Sequence, residues 1–388
     1  MKKWITIILV LFVFNAFSQV ETYLKALKEQ GQTPIAFVSD KLKTHDLIVF
    51  DDGLHNALEP FEFYNELLSA DSTIDYVFVE IFGINAQPHI DAFLESDSKD
   101  LSLLYPVFQD DFSGLGWVYK TSLDLLTHVW DLNHSGASNV KVIGVDQPIY
   151  WEGIHTREQY DIFRQSVIGR DYFMYRIITS KMKDFKEGLK GIFLTNTRHA
   201  YKNIENSMGT PYWNAGTFFY NWHPEKTYTV RFHNVILNIT AKKENVKNQS
   251  MAGMDRITYN WARMEGGLWD KAFAENKNQP IAIPLKNTPF GNATYVGNHM
   301  LDVREGQTML NAYDAIIFLK PLEELHFSAK TDFFYTPEFK KELDRRIRIL
   351  QEGTLEKYLE RNEASNVQEF IEELAQAAPA TSNTLIPE

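Results

Sequence analysis

The chain has 388 residues, 44% hydrophobic and 14% aromatic, with 20 glycines and 14 prolines, a globular composition that excludes a disordered or fibrous protein. It has no cysteine, which removes disulfides, thiolate nucleophiles, thiolate zinc sites and Cys-ligated iron–sulfur clusters together and leaves His, Asp and Glu as ligands for any metal. The formal charge is −12, from 39 basic and 51 acidic residues, with no basic run dense enough to neutralise several phosphates, so no nucleic-acid partner is expected.

Taken in chain order, Met1 to Ser18 reads as a secretory leader: Lys2-Lys3, an apolar run from Trp4 to Phe14, then Ala16-Phe17-Ser18 before Gln19. The run is short for a membrane span. The alternative is a short N-terminal anchor helix. Cleavage after Ser18 would leave an exported, soluble, periplasmic or secreted protein with no membrane span, stabilised by its core and not by disulfides.

Four apolar runs follow with the near-continuous pattern of strands buried on both faces: Asp46 to Asp52, Asp75 to Phe82, Val140 to Asp146 and Gly191 to Asn196. Helical stretches at Glu59 to Ala70, Leu115 to Asn133 and Arg157 to Glu187, the last with a break near Gly169, are long enough to be crossovers. Thr227 to Thr240 alternates polar and apolar residues, as a half-solvated strand or hairpin at a sheet edge would. Ala312 to Lys320 reads as one more buried strand. Pro337 to Leu350, Thr354 to Asn362 and Val367 to Ala377 read as helices, and Ala378 to Glu388 as a frayed end. The expected fold is α/β, a largely parallel central sheet flanked by helices, with a helical C-terminal extension. The expected division is a leader over 1–18, one large domain over 19–350, and C-terminal helices with a frayed tail over 351–388.

In open α/β sheets ligands bind beyond the carboxyl ends of the strands, and each of the four strands brings polar residues there. The first runs into Asp51, Asp52 and His55, the second carries Glu80, the third ends in Asp146, and the fourth leads through Asn196 to Arg198 and His199. Glu80, flanked by apolar residues, is expected to be partly desolvated. That suits a functional carboxylate, or one that accepts backbone N–H bonds. Asp146 before Gln147-Pro148 can equally order a turn. His55 follows a glycine turn, and a neutral imidazole there or at His199 can be a general base or a metal ligand. The other nine histidines scatter, with His155 and His299 next in interest, and no HExxH, GxSxG, P-loop or GxGxxG stands in a convincing context.

In their order these residues resemble the erythromycin esterase-like superfamily, whose relatives include haem-binding lipoproteins and TIKI-type metalloproteases. The likeness runs from about Asp46 to Leu319, placing the family's domain within 19–350. It rests on Asp51-Asp52-Gly53-Leu54-His55-Asn56 with Glu59, then Glu80, Asp146, Arg170-Asp171 with Met174, Asn196 and His199, and Ala312-Tyr313-Asp314-Ala315-Ile316-Ile317. The family's Gly-Glu before the histidine motif is replaced here by Asp51-Asp52. The resemblance implies an esterase in which His55 takes a proton from water, oriented by Glu80 or Asp52, while Arg170 and His199 position substrate or stabilise the oxyanion. It places Asp52, Glu59, Asp146 and Asp171 at the substrate. Arg170-Asp171 can instead be an ion pair that only fixes its helix. No cofactor is needed for that chemistry. A rival reading puts a divalent metal on His55 and His199 with Glu80, Asp146 or Asp52. A third makes the chain a binder of haem or another small ligand, walled by the aromatics Tyr201, Tyr212, Trp213, Phe218, Phe219 and Tyr220.

Overall fold

The computed structural model describes residues 19–241, 257–296 and 302–387, so the expected leader and His299 lie outside the described residues. The longer strands are β1 (Leu47–Asp51), β2 (Tyr76–Gly83), β3 (Lys141–Asp146), β4 (Gly191–Thr195), β5 (Thr227–Phe232), β6 (Ile236–Ala241), β7 (Ile257–Ala262), β8 (Ile281–Pro284) and β9 (Ala315–Phe318). The chain forms two compact units, each from separated segments. The first takes the residues up to His55, Asn196–Leu325 and those from Ser382 on; the second takes Asn56–Thr195 and His326–Thr381.

In the first unit the strand order is β1-β5-β9-β8. β1 is buried at all five positions and pairs in parallel with β5, Leu47 beside Thr227 through to Asp51 beside Arg231. β5 pairs in parallel with β9, and β9 antiparallel with β8. The helix Pro34–Leu42 packs on β1 and β8, and the helix Ala215–Trp222 on β5.

The segment expected as an edge strand over 227–240 divides in two. β5 is an inner strand between β1 and β9, while β6 pairs with β7 in a separate antiparallel ribbon. Its alternation was not a solvent face, because Thr227, Thr229 and Arg231 are all buried and Arg231 is bonded within the unit. Within the stretch expected to fray, Asn383, Leu385 and Ile386 are held in place. Asn383 is buried and its backbone N–H donates to Leu325 O at 2.8 Å, while Leu385 and Ile386 pack against Val235, Leu322 and Leu325.

In the second unit β2 lies between β3 and β4, all parallel. The helices Leu58–Ala70 and Lys120–His134 pack together, and Arg170–Lys181 packs on β3. The helix expected from Leu115 starts only at Lys120. Buried Asp111 accepts the backbone N–H groups of Ser113 and Gly116, both at 2.9 Å, and holds the preceding residues in a turn. The stretch from Arg157 breaks where expected, with a 3₁₀ turn at Val167–Gly169 between helices Arg157–Ser166 and Arg170–Lys181. Near the C-terminus, Phe339, Leu343 and Ile347 of the helix Pro337–Leu350 share a core with Val367, Phe370 and Ile371 of the helix Val367–Leu374. The fold is thus α/β with a largely parallel sheet, flanking helices and a helical C-terminal region. Among the described residues no helix is long and apolar enough to cross a membrane.

A glycine sits where the β2–β3 pairing changes register. The register shifts between Val79 and Gly83, and a Cβ on Gly144 would lie 2.7 Å from Phe82 O and 2.9 Å from Gly83 O. Both obstacles are backbone and cannot swing aside. Gly144→Ala is expected to cost about 1–3 kcal/mol of stability, read as a lower urea midpoint at unchanged m-value.

Candidate functional site

Two polar centres emerge, one in each unit. In the first unit β1 ends in Asp51, and Gly53, at φ +72°, turns the chain so that its N–H meets Asp51 Oδ1 at 2.8 Å. Asp52 is buried and His55 half-buried in the turn that follows. His55 Nδ1 lies 3.1 Å from Asp52 Oδ2, and Nε2 lies 2.7 Å from Asn196 Nδ2. Asn196 caps the short helix Thr197–Ala200, its Oδ1 accepting the Arg198 N–H at 2.9 Å. That bond fixes the amide orientation: Oδ1 is spent on the backbone, so Nδ2 donates to Nε2. The imidazole is therefore held as the neutral tautomer with its proton on Nδ1, donated to Asp52, and its lone pair on Nε2.

Beneath this pair is a buried network. Arg231 Nη1 donates to Asp51 Oδ2 at 3.0 Å, to Thr197 Oγ1 at 3.2 Å and to the Tyr313 hydroxyl at 3.0 Å. Tyr313 in turn donates to Asp51 Oδ2 at 2.6 Å, and Thr197 to Asp51 Oδ1 at 3.0 Å. Burial, with the Asp51 charge beside it, pushes the Tyr313 hydroxyl well above the usual tyrosine range and keeps it a donor. Burial alone would lower the Arg231 pKa, but Asp51 raises it, so the guanidinium is a permanent cation. Tyr313→Phe would leave an oxygen of buried Asp51 without its hydroxyl donor. It is expected to cost about 1–3 kcal/mol, measured by chemical denaturation.

A cleft of about 440 Å³ opens on this centre. It is lined by His55, Asn196 and Arg198, by Arg231, and by apolar residues including Leu237 and Trp261. His199 is buried in the same short helix as Arg198 but is not one of the lining residues among those described. Of the aromatics expected to wall a pocket, Phe218 stacks near Trp213 and Trp222, and both tryptophans are half exposed. None of these rings lines the cleft.

In the second unit Glu80, Asp146 and Arg170 meet. Arg170 forks onto Asp146, Nε to Oδ1 at 2.6 Å and Nη2 to Oδ2 at 2.9 Å, and Nη2 also reaches Glu80 Oε1 at 3.0 Å. Thr195 donates to Glu80 Oε2 at 2.5 Å. Burial raises the Asp146 pKa despite its arginine. For Arg170 burial acts downward, and the charges of Glu80, Asp146 and Asp171 raise it. Arg170 is thus bonded to Glu80 and Asp146, and the charge of half-buried Asp171 also raises its pKa. Glu59 stands elsewhere in this unit, accepting the His326 N–H at 3.0 Å and lying 3.1 Å from its Nδ1.

The donor sets do not suit a metal. Among the described residues no three His, Asp or Glu side chains are grouped to hold one. The place of a cation between Glu80 and Asp146 is held by Arg170, and both His55 nitrogens are engaged by Asp52 and Asn196. Arg231 was not singled out in the sequence, and Tyr313 stood only within the Ala312–Ile317 motif, with no role assigned. Their signal was a polar residue at every second position of a strand and a tyrosine before a buried strand, neither distinctive.

No family model matches the chain, and no curated protein matches it in sequence. Solved structures do match in fold. The erythromycin esterase EreC, in its open conformation, superposes with a TM-score of 0.50 at 11% identity over 73% of this chain and 92% of its own. A succinoglycan biosynthesis protein gives 0.49 at 9% identity over 77% and 96%. ChaN of Campylobacter jejuni, described with bound haem, gives 0.32 at 13% identity over 58% and 91%. The chain thus shares its fold with the erythromycin esterase EreC.

Proposed function

We propose that this protein is a hydrolase of ester-type bonds in which His55 activates water. The observation that carries the reading is the fixed His55 tautomer at a cleft: Asp52 holds the Nδ1 proton, and the Nε2 lone pair is directed at the amide donor of Asn196. The fold shared with an erythromycin esterase is compatible with this chemistry.

In this reading the ester carbonyl enters beside Asn196 and draws the Nδ2 donor onto its oxygen. Water takes the vacated place at Nε2. His55 accepts a proton from that water as its oxygen bonds to the carbonyl carbon. Asp52 stabilises the imidazolium, and Asn196 stabilises the tetrahedral oxyanion. Collapse breaks the bond to the alcohol oxygen, which leaves with the proton from Nε2, releasing acid and alcohol.

The test is turnover of a panel of aryl and alkyl esters of graded acyl size, each in a neutral form and in a form that carries a carboxylate or a phosphate. At least one is expected to be hydrolysed. Asn196→Ala is expected to lower kcat by ~100-fold with KM little changed, as loss of an oxyanion donor does. No turnover across the panel, or an Asn196→Ala variant as fast as wild type, would overturn the reading. The proposal includes export. Its support is the Met1 to Ser18 pattern, and its test is N-terminal sequencing of the protein recovered from its native compartment, with Gln19 expected first.

A further inference from the structure

We infer that the cleft binds a small organic anion, its oxyanion head between Arg231 and Arg198 and its apolar body along Leu54, Val235, Leu237 and Trp261. Arg231 is 2% exposed, yet it lines the cleft. All three of its hydrogen bonds leave from Nη1, so among the described residues Nε and Nη2 meet no acceptor. A buried guanidinium with one edge anchored and the other unspent is a fixed fork for an oxyanion. Arg198 stands exposed on the same lining, and among the described residues its side chain has no hydrogen-bond acceptor.

The charge pattern points the same way. The chain carries −12 overall, yet among the described residues the lining holds two arginines and a histidine and no carboxylate. Asp51 and Asp52 bond to Arg231 and His55 without appearing on the lining. Low-dielectric walls strengthen such a cationic site. The head is a carboxylate or a phosphate, both of which suit the fork. For the hydrolytic reading, on which this step alone rests, the substrate class is then an ester that bears an acidic group and has an apolar body.

Calorimetric titration of the full chain with 4-phenylbutyrate, 2-phenylethyl phosphate and neutral 4-phenylbutyramide tests the inference. At least one anion is expected to bind ~10-fold tighter than the amide, and the tighter of the two identifies the head. Arg198→Gln, an exposed substitution that leaves the Arg231 network in place, is expected to weaken both anions by ~5-fold and the amide not at all. An amide that binds as tightly as the anions, no binding by any of the three, or anion affinity unchanged in Arg198→Gln would overturn it. If the anions bind as expected while no ester is turned over, the hydrolytic reading fails and the anion site stands.

Discussion

Replacing His55 by glutamine is expected to reduce kcat for ester hydrolysis by ~100- to 10,000-fold, the span of general-base contributions, while the melting temperature moves by only a few degrees. Glutamine is chosen because Asp52 is buried and its Oδ2 bonds to His55 Nδ1. A glutamine amide can still donate to that oxygen, so this donor to the carboxylate is kept, but it supplies no basic lone pair. Alanine would confuse the two effects, since stripping the donor from a buried carboxylate is destabilising in itself. The measurement is steady-state turnover of the best panel ester beside a thermal melt. A folded variant at full activity would remove His55 from the chemistry.

The second large effect is on stability. Arg170→Met is expected to lower the unfolding free energy by about 3–5 kcal/mol, the cost of breaking a buried ion pair from one side. Glu80 and Asp146 have only 2% and 4% of their side chains exposed, and methionine fills the space without charge. The loss should grow with pH. Burial already holds the Asp146 pKa above its unfolded value, and removing the guanidinium raises it further. A carboxyl with a raised native pKa binds its proton more tightly folded than unfolded. Native stability is therefore kept below the unfolded value near ~4 and falls as pH climbs through the native one. Urea midpoints of variant and wild type at pH 5 and pH 8 check this: the gap is expected to be wider at pH 8, and equal gaps would contradict the assignment.

The strands β1 to β4 were legible because strands covered on both faces read as unbroken apolar runs, and sequence bounds and structure agree there to within a residue or so. β5 was misjudged for a physical reason. Alternation of polar and apolar residues records two different faces, not which one meets water. Here Thr229 and Arg231 are sequestered among partners that lie far along the chain, Asp51 being 180 positions from Arg231. β8 was missed because Ile-Ala-Ile-Pro is too short to show a period. At the candidate site the proximity of Asp52 and His55 is local, three residues apart on one turn, and could be read directly. The company of Asn196 followed from its place after a strand. The meeting of Arg170 with Glu80 and Asp146, 90 and 24 positions away, could not, since no local pattern joins residues so far apart along the chain.

The docking of the chain's last residues bears on the cleft. Asn383 Nδ2 donates to Asn234 Oδ1, and Leu385 and Ile386 lean on the cluster that includes Val235 and touches Trp261, two residues of the cleft's apolar side. The final segment thus works as a wedge driven in behind the binding wall. Cutting the chain before Asn383 would not remove a single lining residue, yet it would let that wall relax outward and trade selectivity for apolar ligand bodies against looseness.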